Sequence, residues 1–201
     1  MLVDTKDIVP EYSLPRYDPN KKRWLKPVKF SVSERKNCYE VSFLTNRGCG
    51  ERKISEFIPK LLSLDSKFIS ALIAYMCEGT DLRKGINTNC AGNKGKSIQF
   101  CNSDAWLLKL IVNEFKKIGI IEQKWRCYLT LFTQHNDENE KKWWSEILGI
   151  PIKRIKIKEK LIGDPSKKLY NPHGRFRIEV YSSIYASLID NLINLLKNDK
   201  L

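Results

Sequence analysis

Between Lys67 and Glu78 the chain carries no charge: Phe68-Ile69-Ser70-Ala71-Leu72-Ile73-Ala74-Tyr75-Met76-Cys77 is apolar but for one serine. Few places in a fold can take such a run when the chain holds 36 Lys and Arg and 23 Asp and Glu. Asp65 or Ser66 can cap a helix that runs to Glu78, and Gly79 is its stop. At 100° per residue, Ser70, Ala71, Ala74, Cys77 and Glu78 fall within about 120° of one another. Leu72, Ile73, Tyr75 and Met76 take the wider remainder, so the helix is apolar nearly all round and is expected to be buried. Its last residue is an anomaly. The unpaired carbonyls at a helix C-terminus carry partial negative charge, and an acid beside them loses roughly 0.3–1 kcal/mol. Either Glu78 reaches solvent or pairs with Arg83 or Lys84, or it is placed there for a ligand.

The small stripe favours the second answer. Two such helices packed small face to small face, and running parallel, bring their terminal carboxylates and last-turn carbonyls together. Hard oxygens gathered at one point suit Mg²⁺, and the cation removes the electrostatic penalty. Ser70, Ala71, Ala74 and Cys77 are then the dimer contact, and Glu78 and Gly79 the metal site.

The length of 201 residues suits one domain with an appendage, or two small ones. The net charge of +13 points to a polyanionic partner or to a Lys-rich solvated surface, and clustering decides between them. The six cysteines form no CxxC pair, so sulfur-bound zinc is not expected. Cys77, Cys101 and Cys127 lie in apolar runs and read as small buried hydrophobes. No signal peptide opens the chain and no apolar run approaches the ~18–20 residues of a membrane span. The expectation is a soluble, intracellular, reduced protein.

Residues 1–36 carry Pro10, Pro15, Pro19 and Pro27, and from Arg16 to Lys36 eight basic residues face two acids, a net +6. They read as an extended arm with little core of its own. Cys38–Leu44 and Arg52–Phe57 flank a Gly-containing loop and read as a hairpin. The arm with most of this hairpin makes a first unit over 1–52, and the main domain follows over 53–201. Ile86–Asn93 and Ser97–Cys101 read as short strands. Asn102-Ser103-Asp104 caps a helix with Leu107, Leu108, Ile111, Val112 and Phe115 at helical spacing, ending at Gly119. Trp125–Phe132 is a strand, Asp137 opens a helix holding Trp143 and Trp144 as packing residues, and Ile152–Lys160 and Arg175–Tyr181 are strands. Ser182-Ser183 caps the last helix. The order αββαβαββα makes this an α+β domain with an antiparallel or mixed sheet.

Charge clusters in its second half. Residues 151–177 hold nine basic residues against Glu159 and Asp164, a net +7. Strand alternation over Ile152–Lys160 puts Arg154, Lys156, Lys158 and Lys160 on one face and Ile155 and Ile157 on the other. Cations about 7 Å apart along a strand suit phosphates lining a groove, and equally suit a solvated edge strand protected from aggregation. Asn102, where strand meets helix, either positions a water or caps the helix.

Taken in order, Ala71-Leu72-Ile73-Ala74-Tyr75-Met76-Cys77-Glu78-Gly79, Ile98–Asp104, Lys142–Pro151 and Gly174–Tyr181 resemble the LAGLIDADG homing endonuclease family, in its compact members with one motif copy. The first stretch stands for the signature helix, with Glu78-Gly79 as its terminal acid–Gly pair. Met76 replaces the earlier acid of the signature, and Leu72 and Ile73 replace its small pair. The resemblance implies a saddle-shaped sheet straddling double-stranded DNA, with helices on its other face and two signature helices from a homodimer at its centre. It implies divalent-metal-dependent hydrolysis of phosphodiesters, with Glu78 as catalytic acid and metal ligand and Asn102 as a further catalytic candidate. The DNA-facing candidates are Arg83, Lys84, Lys94, Lys96, Gln99, Arg126, Arg154, Lys156, Lys158, Lys160, Arg175 and Arg177. A non-cleaving DNA-binding regulator of the same fold, and a splicing cofactor using the basic sheet on intron RNA, are the alternatives.

Overall fold

Each expected helix has the cap its sequence provides. In the computed structural model, which describes residues 1–18, 22–46, 51–80, 97–163 and 172–198, α1 spans Ser66–Glu78 and the Asp65 carboxylate accepts from the Phe68 N–H at 2.9 Å. Helix α2, Ala105–Phe115, starts on Asp104, whose carboxylate takes the N–H groups of Trp106 and Leu107. Helix α3, Asp137–Leu148, starts on Asn136 and carries Asp137, Glu138 and Glu140 in its first turn, where the helix dipole favours acids. Helix α4, Ser183–Lys197, starts on Ser182.

The strands run in chain order as β1 (Leu2–Asp4), β2 (Arg16–Asp18), β3 (Arg23–Leu25), β4 (Ser31–Glu34), β5 (Cys38–Asn46), β6 (Glu51–Pro59), β7 (Leu61–Ser63), β8 (Ser97–Asn102), β9 (Arg126–Phe132), β10 (Ile155–Leu161) and β11 (Arg175–Tyr181). The expected hairpin is the β5–β6 pair, in register from Cys38↔Pro59 to Asn46↔Glu51, so it runs unbroken across residue 52. With β4 it forms a three-stranded antiparallel sheet. The main sheet is mixed, in the order β10-β9-β11-β8, with β10 parallel to β9 and the other pairs antiparallel. The expected strand over Ile86–Asn93, and the candidates Arg83, Lys84, Lys94 and Lys96, lie outside the described residues.

Alternation sets the two faces of the main sheet. Ile98, Phe100, Cys127, Leu129, Leu131, Phe176, Ile178 and Val180 are buried on one face, against the helices. Helices α1, α2 and α4 pack on β8, and α4 also packs on β6. Contact with both sheets buries α4 on nearly all sides, from Ile184 to Ile193. Each fully buried Leu, Ile or Phe in this layer is worth about 1.5–3 kcal/mol of apolar burial. Trp144 is core, stacked on Phe176 at 4.8 Å, with its indole N–H donating to the His173 carbonyl at 2.7 Å. Trp143 stacks on the His173 ring at 3.7 Å.

Two expectations are corrected. The first 36 residues, read as an extended arm with little core of its own, are docked on later parts of the chain and do not stand free. Strand β1 pairs with β7, the Thr5 N–H donates to the Lys60 carbonyl at 2.8 Å, and the Asn191 amide donates to the Ile8 carbonyl at 2.6 Å. Ile8 and Phe30 enter the core cluster, because partners far along the chain supply the apolar contacts the arm lacks locally. Helix α1 is not buried all round. It covers Phe68, Ala71, Leu72 and Tyr75 and leaves out Ser70, Ile73 (43% exposed), Met76 (39% exposed) and Cys77. Cys77 and the half-buried Cys101 are therefore not core thiols, whereas burial pushes the Cys127 thiol up to about 12.

The start of α1 is also an electrostatic joint. Lys117, at 2.8 Å, and then the Phe68 N–H hold the Asp65 carboxyl below the usual carboxylate range. A depressed folded-state pKa gives stability that is present above the unfolded value of about 3.9 and is lost as pH falls through the folded value. Asp65→Ala is expected to lower the melting temperature at pH 7 by a few degrees. Asp65→Asn keeps the cap and loses less, and its deficit against the parent should shrink as a pH series drops below about 4.

Candidate nucleic-acid interface and the Glu78 groove

At its C-terminal end α1 runs into the edge of the main sheet. Gly79 forms a bridge with Phe100, and the Thr80 N–H donates to the Gln99 carbonyl at 2.9 Å. Tyr75 ties the junction. Its hydroxyl accepts from the Gln99 N–H at 3.3 Å and donates to the Thr80 carbonyl at 3.4 Å. Its ring packs on Phe115 at 5.7 Å and on Phe100 at 6.4 Å, and burial pushes its pKa up. A Cβ on Gly79 would sit 2.4 Å from the Tyr75 carbonyl oxygen and 2.8 Å from the ring. Gly79 is needed for this close approach, since its φ of −78° is open to any residue.

The junction puts Glu78 at a groove of about 420 Å³ on the sheet face away from the helices. Gly79, Thr80, Gln99, Cys101, Thr130, Lys158, Glu159, Leu161, Arg175 and Arg177 complete its lining. Of the expected site residues, the groove therefore brings together Glu78, Gly79, Gln99, Lys158, Arg175 and Arg177. No basic residue lies in the last turn of α1, and among the described residues the cations facing its negative end come from β10 and β11. Among the described residues Glu78 takes no ion pair, and any pairing with Arg83 or Lys84 falls outside them.

The basic strand departs from simple alternation. Residues Ile152–Arg154 form a 3₁₀ turn, and the Arg154 guanidinium donates to the carbonyls of Gln123 at 2.6 Å and Trp125 at 3.4 Å. Arg154 is thus a structural staple. The pairing of β10 with β9 shifts between Ile157 and Glu159. The extra residue turns Lys158 into the groove, puts Glu159 opposite Thr130 on the open face, and puts Lys160 opposite Leu131 on the other face. There Lys160 meets Asp137 at 2.8 Å. Lys156, opposite Tyr128, keeps its place on the open face.

Asn102 does not reach the groove either. It pairs with Phe176 at the end of β8, and its side-chain oxygen accepts from the Asp104 N–H at 2.9 Å, which organises the turn into α2. Ala71 is fully buried within its own chain and leaves the expected dimer contact, while Ser70 and Cys77 stay exposed and Ala74 is half-buried. Ile73 and Met76 take the place of Ala71 on that exposed face.

Two groups on the open face escaped the sequence reading. Glu159 sits between lysines and reads as a neutralising acid until the bulge aims it at the groove. Glu179 lies one register step from Arg177, opposite Gln99 on one side and Arg126 on the other, and is 1% exposed. Its signal in the sequence was an acid in the middle of a strand otherwise flanked by arginines.

Compared with known proteins, the chain matches no family model and no curated protein sequence. No helix among the described residues is long and apolar enough to cross a membrane.

Gly79→Ala is expected to cost about 1–3 kcal/mol, the range for forcing a methyl group into a filled site. Urea titration of both proteins measures it, and an unchanged midpoint would mean that Tyr75 does not hold the junction closed.

Proposed function

We propose that the chain is a site-specific, divalent-metal-dependent DNA endonuclease of the LAGLIDADG kind that works as a homodimer. The observation that carries this reading is the position of Glu78. It is an acid at the unfavourable end of an apolar helix, delivered to a groove whose other walls include Lys158, Arg175 and Arg177. Nothing in local helix energetics favours that placement, and phosphodiester chemistry does.

The donor chemistry fits a hard cation. Glu78 offers carboxylate oxygens, and Glu159 lines the same groove. A divalent cation held there would supply an activated water and stabilise the leaving oxygen. The chain's own part is to place charge. Lys158 and Arg175 would hold the flanking phosphates, and Lys156 extends the cationic path along the open face. The exposed stripe of α1, with Ser70, Ile73, Met76 and Cys77, suits a second copy of the chain. A two-fold axis along that stripe would pair two copies of α1, with each Glu78 facing its own groove.

The non-cleaving regulator remains the second reading. It is favoured by Asn102, whose side chain serves its own turn and leaves the attacking water without the positioning group expected of it.

The test is incubation of the protein with duplex DNA spanning the junction where its own gene is inserted, with Mg²⁺ and with EDTA. Cleavage is expected with Mg²⁺ alone. Glu78→Gln should lower the rate by several orders of magnitude, at about 1.4 kcal/mol per tenfold, while leaving duplex binding intact. Binding without cutting under any divalent metal would promote the regulator. Assembly is a separate prediction: the parent should sediment as a dimer at micromolar concentration, and Ile73→Lys, which puts a charge into the stripe, should yield a folded monomer. A parent that is monomeric even with DNA bound would sink the paired-helix arrangement.

A further inference from the structure

A carboxylate in the middle of a phosphate-binding face is a liability, and Glu179 is such a carboxylate. It sits at the centre of the open sheet face, in a row that runs Gln99 on β8, Glu179 on β11 and Arg126 on β9. The adjacent row is Cys101, Arg177 and Tyr128. Neighbouring strands lie about 4.8 Å apart, so these side chains form a lattice of fixed pitch. Within it Arg126 lies over the Tyr181 ring at 4.5 Å, and Arg177 over the Tyr128 ring at 5.0 Å. Arg177 Nη2 is 3.8 Å from Glu179 Oε2. The Tyr181 hydroxyl lies beside the same carboxylate, and burial, then that neighbour, pushes its pKa up to about 12.

Among the described residues Glu179 Oε2 and Arg177 Nε are fully buried without a hydrogen-bond partner. An incompletely satisfied buried acid is costly, and a surface that only had to attract phosphates would do better without it. The cost is offset if the acid is there to hold its neighbours. Both guanidinium groups sit over tyrosine rings, Arg177 beside the carboxylate itself and Arg126 on the ring of Tyr181, whose hydroxyl bonds that carboxylate. Groups held in this way lose little freedom when they bind, and a fixed guanidinium fork is the group that recognises guanine O6 and N7.

We infer that Glu179 is a positioning residue that presets Arg126 and Arg177 as two guanine-reading forks, so that the open face recognises base sequence and not phosphates alone. The inference rests on the duplex-DNA reading above and deepens it. It names the specificity determinants and the bases they select. Glu179 itself, being buried, acts only through the side chains that cover it. Arg175 and Lys158, which line the groove beside Glu78, belong to the phosphate path and not to the forks.

The test is selection from a library of duplexes with a randomised centre, followed by binding measurements on the enriched duplex and on a scrambled one. The parent should enrich guanine at two fixed positions per half-site. Arg126→Lys and Arg177→Lys keep the charge but lose the fork, and each should lower the preference for guanine at one position by roughly tenfold. Their binding to scrambled DNA and its salt slope should stay as in the parent. Glu179→Gln should move the two quantities in opposite directions. Removing a negative charge leaves scrambled-DNA binding equal or stronger, while guanine preference falls at both positions. A purely structural role for Glu179 would weaken both together. Unchanged guanine preference in the Arg→Lys variants, or enrichment without guanine, would overturn the inference and leave the endonuclease reading standing. A parent that binds no duplex at all would overturn both.

Discussion

The packing of Tyr75 against Gly79 is the constraint on which the candidate site depends. One phenol ring joins the core of α2 through Phe115, the core of β8 through Phe100, and the backbone of the chain leaving α1. Its hydroxyl occupies the one place where the Gln99 N–H and the Thr80 carbonyl can share a partner. Without it a helix end and a sheet edge would meet with unsatisfied backbone groups, each costing about 1–3 kcal/mol. With it, a helix end becomes an extra edge segment of the sheet. The direction in which Glu78 leaves the backbone then follows from the core and not from a mobile loop.

The electrostatics divide along the same line. On the helix side and around the second sheet, cations are spent on acids: Lys117 on Asp65 and Glu114, Lys116 on Glu122, Lys124 on Glu56, and Arg35 and Lys53 on Glu40. Lys160 joins that side through Asp137. On the open sheet face Lys156, Lys158 and Arg175 take no ion-pair partner among the described residues. Lys26, Arg52, Lys109 and Lys142 also take no ion-pair partner among the described residues, so what sets the open face apart is the row its cations form along β10 and β11. Surface pairs elsewhere contribute little to stability.

The parts that were legible in the sequence are those set by neighbours along the chain. Asp65, Asp104 and Ser182 cap the helices they precede, and the apolar spacing of Leu108, Ile111, Val112 and Phe115 is the core face of α2. Strand β11 was legible to the residue, because Phe176, Ile178 and Val180 alternate cleanly. What was not legible depends on partners distant in sequence. The bulge in β10 is a property of its pairing with β9, and a one-residue slip reverses every side chain beyond it, which is why Lys160 and Glu159 exchanged faces. Ala71 and Ser70 look alike in composition, yet α2 and α4 decide which of them is covered. The docking of the first residues depends on Lys60 and Asn191, and no local pattern announces either.

The acid that ends α1 is paid for by tertiary structure. Lys158, Arg175 and Arg177 reach the groove from strands far beyond Glu78 in the chain, and their charge is opposite to that of the carboxylate and of the helix carbonyls behind it. Under the proposed function Lys158 and Arg175 must also meet phosphates. A phosphate entering the groove is drawn by the three cations and repelled by Glu78 and Glu159, and a divalent cation at the carboxylates removes that repulsion. Duplex binding and metal binding are then coupled free energies, and the coupling is reciprocal: whatever factor the metal adds to duplex affinity in the groove, the duplex adds to metal affinity.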